Sequence, residues 1–109
     1  MRIVVDIDGV LCEQTGIGNV EEMVNAKPID KNIGYVRLLY KQGHEIIIHT
    51  ARIGYELDGK CPSEEKATKQ WLTKNMVPYN KLMLNKPWAD YYIEDRAIEL
   101  GVLYEKLRR

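Results

Sequence analysis

Residues 2 to 12 read Arg-Ile-Val-Val-Asp-Ile-Asp-Gly-Val-Leu-Cys, a β-branched run that ends in two carboxylates and a glycine. Ile3, Val4 and Val5 form a nearly continuous apolar segment, the pattern of a strand buried on both faces of a parallel sheet. The carboxylates then fall at its carboxyl end, the edge where open α/β sheets bind ligands in a crevice lined by loops. Side chains two apart on a strand point the same way, so Asp6 and Asp8 face a common space while Gly9 turns the chain behind them. Carboxylates that close repel each other, so either one pKa rises or a cation sits between them. Asp and Gly are also ordinary turn residues. The tetrapeptide alone therefore leaves a capped turn and a metal or catalytic site as equal readings.

Further along, two more strand ends carry polar groups. Residues 30 to 42 place Ile33, Val36, Leu39 and Tyr40 at helical spacing, with Asp30 as the expected N-cap and Gly43 as the stop. Ile46-Ile47-Ile48 follows as a buried strand ending in His49-Thr50-Ala51-Arg52. Strand, helix and strand in this rhythm predict a right-handed crossover that sets Thr50 at the same sheet edge as Asp6, although a lone strand-end Thr more often just satisfies a backbone group. After a turn-rich connection over residues 53 to 62, Ser63, Glu64 and Glu65 open a helix with Ala67, Trp71, Leu72 and Met76 on one face, stopped by Pro78. Leu82-Met83-Leu84 reads as a third strand and Tyr91-Tyr92-Ile93 as a fourth, ending in Glu94-Asp95-Arg96. Between them lies Lys86. Ala97 to Arg109 reads as an amphipathic closing helix weakened by Gly101. The long connection over residues 13 to 28 leaves directly from the carboxylates and is expected to form a flap over the crevice, made mobile by Gly16 and Gly18.

The 109 residues predict one domain over 1–109, too small for a separate lid domain. Lys plus Arg and Asp plus Glu balance at 16 each, so no global field draws the chain to extended nucleic acid or an anionic membrane, and a small partner is expected. Cys12 and Cys61 form no C-x-x-C pair, no apolar run approaches membrane length, and the first strand begins almost at once; these favour a reduced, cytoplasmic protein without a signal peptide.

On a parallel sheet, Asp6 and Asp8, Thr50, Lys86, and Glu94 and Asp95 would converge on one edge. Oxygen ligands without Cys or a His pair suit Mg²⁺, which retains waters and takes one or two carboxylates plus phosphate oxygens. An ammonium and a hydroxyl beside the metal suit a phosphoryl group. A carboxylate about 4 Å from a phosphate charge is opposed by roughly 4 kcal/mol at an effective dielectric of 20, so cations must accompany Asp6 and Asp8.

The order Asp-Ile-Asp-Gly-Val, Ile-Ile-Ile-His-Thr, Lys86, and Tyr-Ile-Glu-Asp resembles the four motifs of the haloacid dehalogenase superfamily of phosphohydrolases. Lys-Pro-Trp-Ala-Asp-Tyr-Tyr-Ile-Glu-Asp-Arg-Ala is similar to the small phosphatases of capsule and polysaccharide biosynthesis. The resemblance spans nearly the whole chain. It implies a Rossmann-like three-layer α/β fold with a parallel sheet in the order 3-2-1-4 and no cap domain. It also implies Asp6 as the nucleophile that forms an aspartyl-phosphate, Asp8 as general acid and base, and Thr50 and Lys86 as holders of the phosphoryl oxygens. Mg²⁺ would be held by Asp6, Asp8 through its carbonyl, and Asp95, with Glu94 as the other candidate. The last motif departs from the family's usual pair of Asp residues. Gly9, Arg52 and Arg96 are candidates for substrate contact, and His49 is read as a neighbour of the strand end.

The expected activity is Mg²⁺-dependent hydrolysis of a sugar phosphate or related small metabolite, with the open site closed by the flap or by a second copy in a homo-oligomer. A nucleotide or polynucleotide-end phosphatase is the alternative enzyme. A phospho-accepting receiver domain is the alternative from another class, but its acceptor Asp belongs at a later strand end, where this chain has Asn85.

Overall fold

A computed structural model describes residues 1–15, 19–52 and 61–108. The elements run β1 (Arg2–Val5), α1 (Val20–Asn25), α2 (Asp30–Lys41), β2 (Glu45–His49), α3 (Pro62–Lys74), β3 (Lys81–Met83) and α4 (Leu100–Leu107). The three strands form a parallel sheet in the order β1-β2-β3, with Ile3 beside Ile46, Val5 beside Ile48, and Ile48 beside Leu82. A small α/β architecture with an open parallel sheet therefore stands as expected, compatible with a Rossmann-like fold.

The alternation of β1 decides where the core lies. Ile3 and Val5 point to one face and join Ile46, Ile48, the α2 residues Ile33, Val36 and Leu39, and the α3 residues Trp71 and Leu72 in a single cluster. Each fully buried aliphatic side chain there contributes roughly 1.5–3 kcal/mol. Trp71 is the largest, and its indole N–H donates to the Ala26 carbonyl at 2.8 Å, pinning the end of α1 to α3. On the opposite face Val4 is 58% exposed. The helices thus cover one face of β1, and the second helical layer of a three-layer fold is not seen among the described residues.

The reason lies after β3. Residues 91–93, read from their sequence as a fourth strand, form none: Tyr91 is exposed and Ile93 is fully so, at 100%. The helix expected to follow that strand instead packs on α2, where the rings of Tyr35 and Tyr104 stack with centroids 4.8 Å apart. It starts at Leu100, later than Ala97, because the Glu99 carboxylate caps it by accepting from the amides of Gly101 and Val102.

Smaller corrections have local causes. Asp30 is the first residue of α2; Ile29 precedes it as the N-cap, without a side-chain cap. Pro62 begins α3, since a helix's first position needs no N–H, and Met76 leaves its apolar face for a left-handed backbone (φ 53°) with an exposed side chain. Arg37 secures that helix end by donating to the carbonyls of Asn75 (2.7 Å) and Met76 (3.0 Å). β3 begins one residue early, at Lys81, after Asn80 exchanges two hydrogen bonds with the backbone of Ile46.

Candidate active site

The turn after β1 is built on one carbonyl. The Ile7 C=O accepts from the amides of Val10, Leu11 and Cys12, and Gly9 closes the turn by donating to the Cys12 carbonyl at 2.8 Å. Gly9 sits at φ 82°, where a side chain is strained, and a Cβ there would come within 2.8 Å of the Gln14 amide nitrogen. Gly9 is thus a backbone device that holds Asp8 and Cys12 near each other, and it does not line the cavity described below.

That cavity, about 310 Å³, is bounded by Asp6, Asp8, Arg52, Trp88 and Tyr92 among others. It stands beyond the carboxyl end of β1, so Asp6 and Asp8 share one space as the strand geometry requires. Gln14, Thr15 and Met23 contribute to its wall. The described parts of the connection, residues 13–15 and 19–28, therefore do border the site, and of these Met23 is fully buried and α1 is capped by the Asn19 side chain accepting from the Glu22 amide. Gly16 and Gly18, on which the expected mobility rested, lie outside the described residues.

Asp8 is held from every side. Arg52 donates through Nε to Oδ2 and through Nη2 to Oδ1, both at 3.0 Å; the Thr15 hydroxyl reaches Oδ1 at 3.1 Å and the Cys12 thiol at 3.4 Å. The Arg52 side chain is only 1% exposed, which an arginine tolerates when its charge is paired and its donors are used. Burial, reinforced by the negative charge of Asp8, pushes the Cys12 thiol up to about 12, so it stays protonated and acts as a donor.

Asp6 is held more loosely. Its Oδ1 accepts from the Ile7 amide at 2.7 Å, and its Oδ2 faces the Lys86 ammonium at 3.6 Å. Burial raises its pKa above the ordinary carboxylate value; Lys86 and the Ile7 amide oppose that rise and Asp8 adds to it. Lys86 also lies 4.3 Å above the ring centre of Tyr92, whose hydroxyl donates to the Pro87 carbonyl. Its backbone N–H donates to the Thr50 carbonyl, which ties the loop to the end of β2.

Thr50 itself is fully buried, and its hydroxyl accepts from the Arg52 amide at 3.2 Å. In this structure it takes the commoner part of a strand-end Thr and does not line the cavity. His49 is half-buried beside Asn85; burial and the Lys86 charge hold its pKa below the usual value, with Asn85, Asp6 and Glu94 pulling the other way. Glu94 is therefore within electrostatic reach of the site. Asp95, by contrast, is 89% exposed and lies 3.9 Å from Arg96, which is itself exposed. Arg96 makes no cavity wall.

Mg²⁺ can be tested against this arrangement. The oxygen donors suit a hard cation in kind: the Arg52 fork takes the Asp8 carboxylate but leaves its backbone carbonyl, and the Asp6 carboxylate borders the cavity, although among the described residues no three acidic, His or Cys side chains gather around one point. Of the acidic candidates of the last motif, Asp95 points to solvent, and residues 91–95 form no strand beside β1. Sequence reasoning also missed Thr15, Cys12, Trp88 and Tyr92. Cys12 was detectable in principle, four residues after Asp8 across a glycine turn; the others depend on loop packing that no local pattern encodes.

The fold is similar over almost its full length to a crystal structure of an MCSG target from Vibrio cholerae, at 28% identity and a TM-score of 0.73, covering 96% of this chain and 97% of that one. It is also similar to two structures of a Pnkp1/Rnl/Hen1 complex, one described as an RNA repair complex, at 17% identity and TM-scores of 0.57 and 0.58. Those matches cover 97% of this chain but 34% and 30% of the other chains, so this chain spans about a third of their length. At that identity they show a shared fold. No protein-family model matches the chain, and no curated protein matches it.

Proposed function

We propose that the chain is a phosphomonoester hydrolase of the haloacid dehalogenase type, acting through an aspartyl-phosphate on Asp6. The observation that carries this reading is the pairing of Asp6, a sparsely bonded carboxylate with an ammonium 3.6 Å away, and Asp8, one fixed by the Arg52 fork, on the wall of one cavity at the sheet edge. In the first step an Asp6 oxygen attacks phosphorus, the bond to the leaving oxygen breaks, and that oxygen takes a proton from Asp8. In the second, Asp8 takes a proton from water as the water attacks phosphorus, which frees inorganic phosphate and the Asp6 carboxylate. Splitting the reaction in two lowers each barrier, and Lys86 offsets charge on the phosphoryl oxygens.

Mg²⁺ is the proposed cofactor, to be held by Asp6, the Asp8 carbonyl and Asp95 or Glu94, and when bound it would neutralise phosphate charge beside the nucleophile. For that, residues 91–95 would add along the free side of β1 and complete the order 3-2-1-4. The exposed Tyr91 and Ile93, and the bare outer face at Val4, are the apolar surface that such an addition would bury. The enzyme is proposed to work in the cytoplasm, with a second copy closing the open cavity; its cysteines are free, and no helix among the described residues is long and apolar enough to cross a membrane.

The first proposed substrate is a sugar phosphate or related small metabolite. A nucleotide or polynucleotide-end phosphate is the second. It is favoured by the fold shared with a chain of an RNA repair complex and by the exposed Trp88 on the cavity rim, a surface on which a base can stack. A phosphate-release screen with Mg²⁺ over hexose phosphates, mononucleotides and a 3′-phosphorylated oligonucleotide separates the two. Asp6→Asn is expected to lower release by a factor of about 10³ or more on the preferred ester; release at the wild-type rate would remove Asp6 from the chemistry and end the proposal.

A further inference from the structure

We propose that Arg52 is the positioning residue of Asp8: its guanidinium fixes the plane of that carboxylate against the cavity, and it does not bind the substrate phosphate. The inference rests on the phosphatase reading and names a residue for it. Arginine offers five N–H donors in a rigid fork. Four of them are spent inside the protein: Nε and Nη2 on Asp8, the second Nη2 hydrogen facing Cys12 Sγ at 3.6 Å, and Nη1 facing the Thr68 hydroxyl at 3.4 Å. With one hydrogen left and 1% of its side chain exposed, Arg52 has little to offer a phosphate. It forms the wall behind Asp8 and acts through it.

The same bonds assign work within the carboxylate. Among the described residues, Oδ1 accepts from Arg52, Thr15 and Cys12, whereas Oδ2 accepts from Arg52 alone. Oδ2 is therefore the oxygen with a lone pair free to carry the proton between leaving group and water. Loss of the fork frees the carboxylate to rotate. Proton transfer, which depends on alignment, then suffers more than phosphate binding.

The test compares p-nitrophenyl phosphate, whose leaving group departs with little help from an acid, with an alkyl ester such as a hexose 6-phosphate, whose alkoxide needs a proton. Arg52→Met is expected to lower kcat on the alkyl ester by about 10²-fold and on the nitrophenyl ester by under tenfold, with KM nearly unchanged. Arg52→Lys restores part of the loss. Adding Arg52→Met to Asp8→Asn costs little further on the alkyl ester, because the two residues act as a unit. In metal-free protein, the urea midpoints of the same four variants also show coupling between the two positions. Equal losses on both esters, a loss confined to KM, or additive effects in the cycle would overturn the inference while leaving the phosphatase reading intact. A wild-type protein inactive on every ester would overturn both.

Discussion

The two carboxylates of the cavity are two residues apart and live in opposite circumstances. Asp8 is set in place by groups drawn from three separate parts of the chain: Arg52 after β2, Thr15 in the loop after the glycine turn, and Cys12 within that turn. Asp6 has one short backbone bond and a distant ammonium, and burial already pushes it toward protonation. One half of the site is completed by the core. On the proposed reading the other is completed by a cation or a phosphoryl group, and residues Tyr91 to Asp95, which would help hold it, are exposed. If Asp8 is the acid and base and Asp6 the nucleophile, as proposed, this is the division a two-step displacement asks for, since the first group must be aligned and the second must be free to react.

Stability measurements attack this contrast most directly. Arg52→Met removes one partner of a buried pair and strands Asp8, and is expected to destabilise the fold by about 3–5 kcal/mol in urea unfolding. Lys86→Met touches the looser half, where the ion pair is long and partly solvated, and is expected to change stability by under about 1 kcal/mol while lowering phosphate release by about 10²-fold. Equal destabilisation by the two variants would mean that the halves are built alike. Next in size is Trp88→Ala. Because Trp88 stands 60% exposed on the rim, its loss is expected to raise KM by roughly tenfold, equivalent to about 1.4 kcal/mol, with kcat and the unfolding midpoint nearly unchanged. A KM that does not move on any ester would detach the rim from substrate binding.

The contrast also marks what the sequence could and could not reveal. β1, α2 and β2 were legible because their apolar periodicity is local and strong, and Asp6 and Asp8 followed from the two-residue repeat of a strand. Lys86 near Asp6 followed from a parallel sheet, which gathers its strand ends on one edge. Tyr91-Tyr92-Ile93 carries the same strand signal, yet pairing is a property of the neighbour as much as of the segment, and here the segment pairs with no strand while Tyr92 packs under Lys86. Arg52 was placed among substrate contacts because a lone arginine beside a motif gives no hint of burial. Its partner lies 44 residues away in sequence, and only the packed fold shows that the fork is occupied. Thr50 stands directly after β2 as the strand signal requires, and only the packed fold shows that its hydroxyl accepts from the Arg52 amide.

The smallest expected effect concerns acid, and its sign separates the two groups flanking Lys86. The folded-state pKa of His49 is lowered by burial and by the Lys86 charge, so just below the ordinary value of about 6.5 the unfolded chain binds a proton that the folded chain refuses. Stability contributed by neutral His49 is therefore present above that pH and is lost as pH falls from about 7 toward the folded pKa. Asp6 works oppositely and lower down. Its folded pKa is raised, so in the window just above the ordinary Asp value the folded state takes up the proton first and gains stability as pH falls. Comparing wild type with His49→Gln cancels the Asp6 contribution. The difference in urea midpoint between the two proteins is expected to shift in favour of the variant from pH 7.5 to pH 5.5, and a difference that stays constant would place His49 outside the field of Lys86 and in free exchange with solvent.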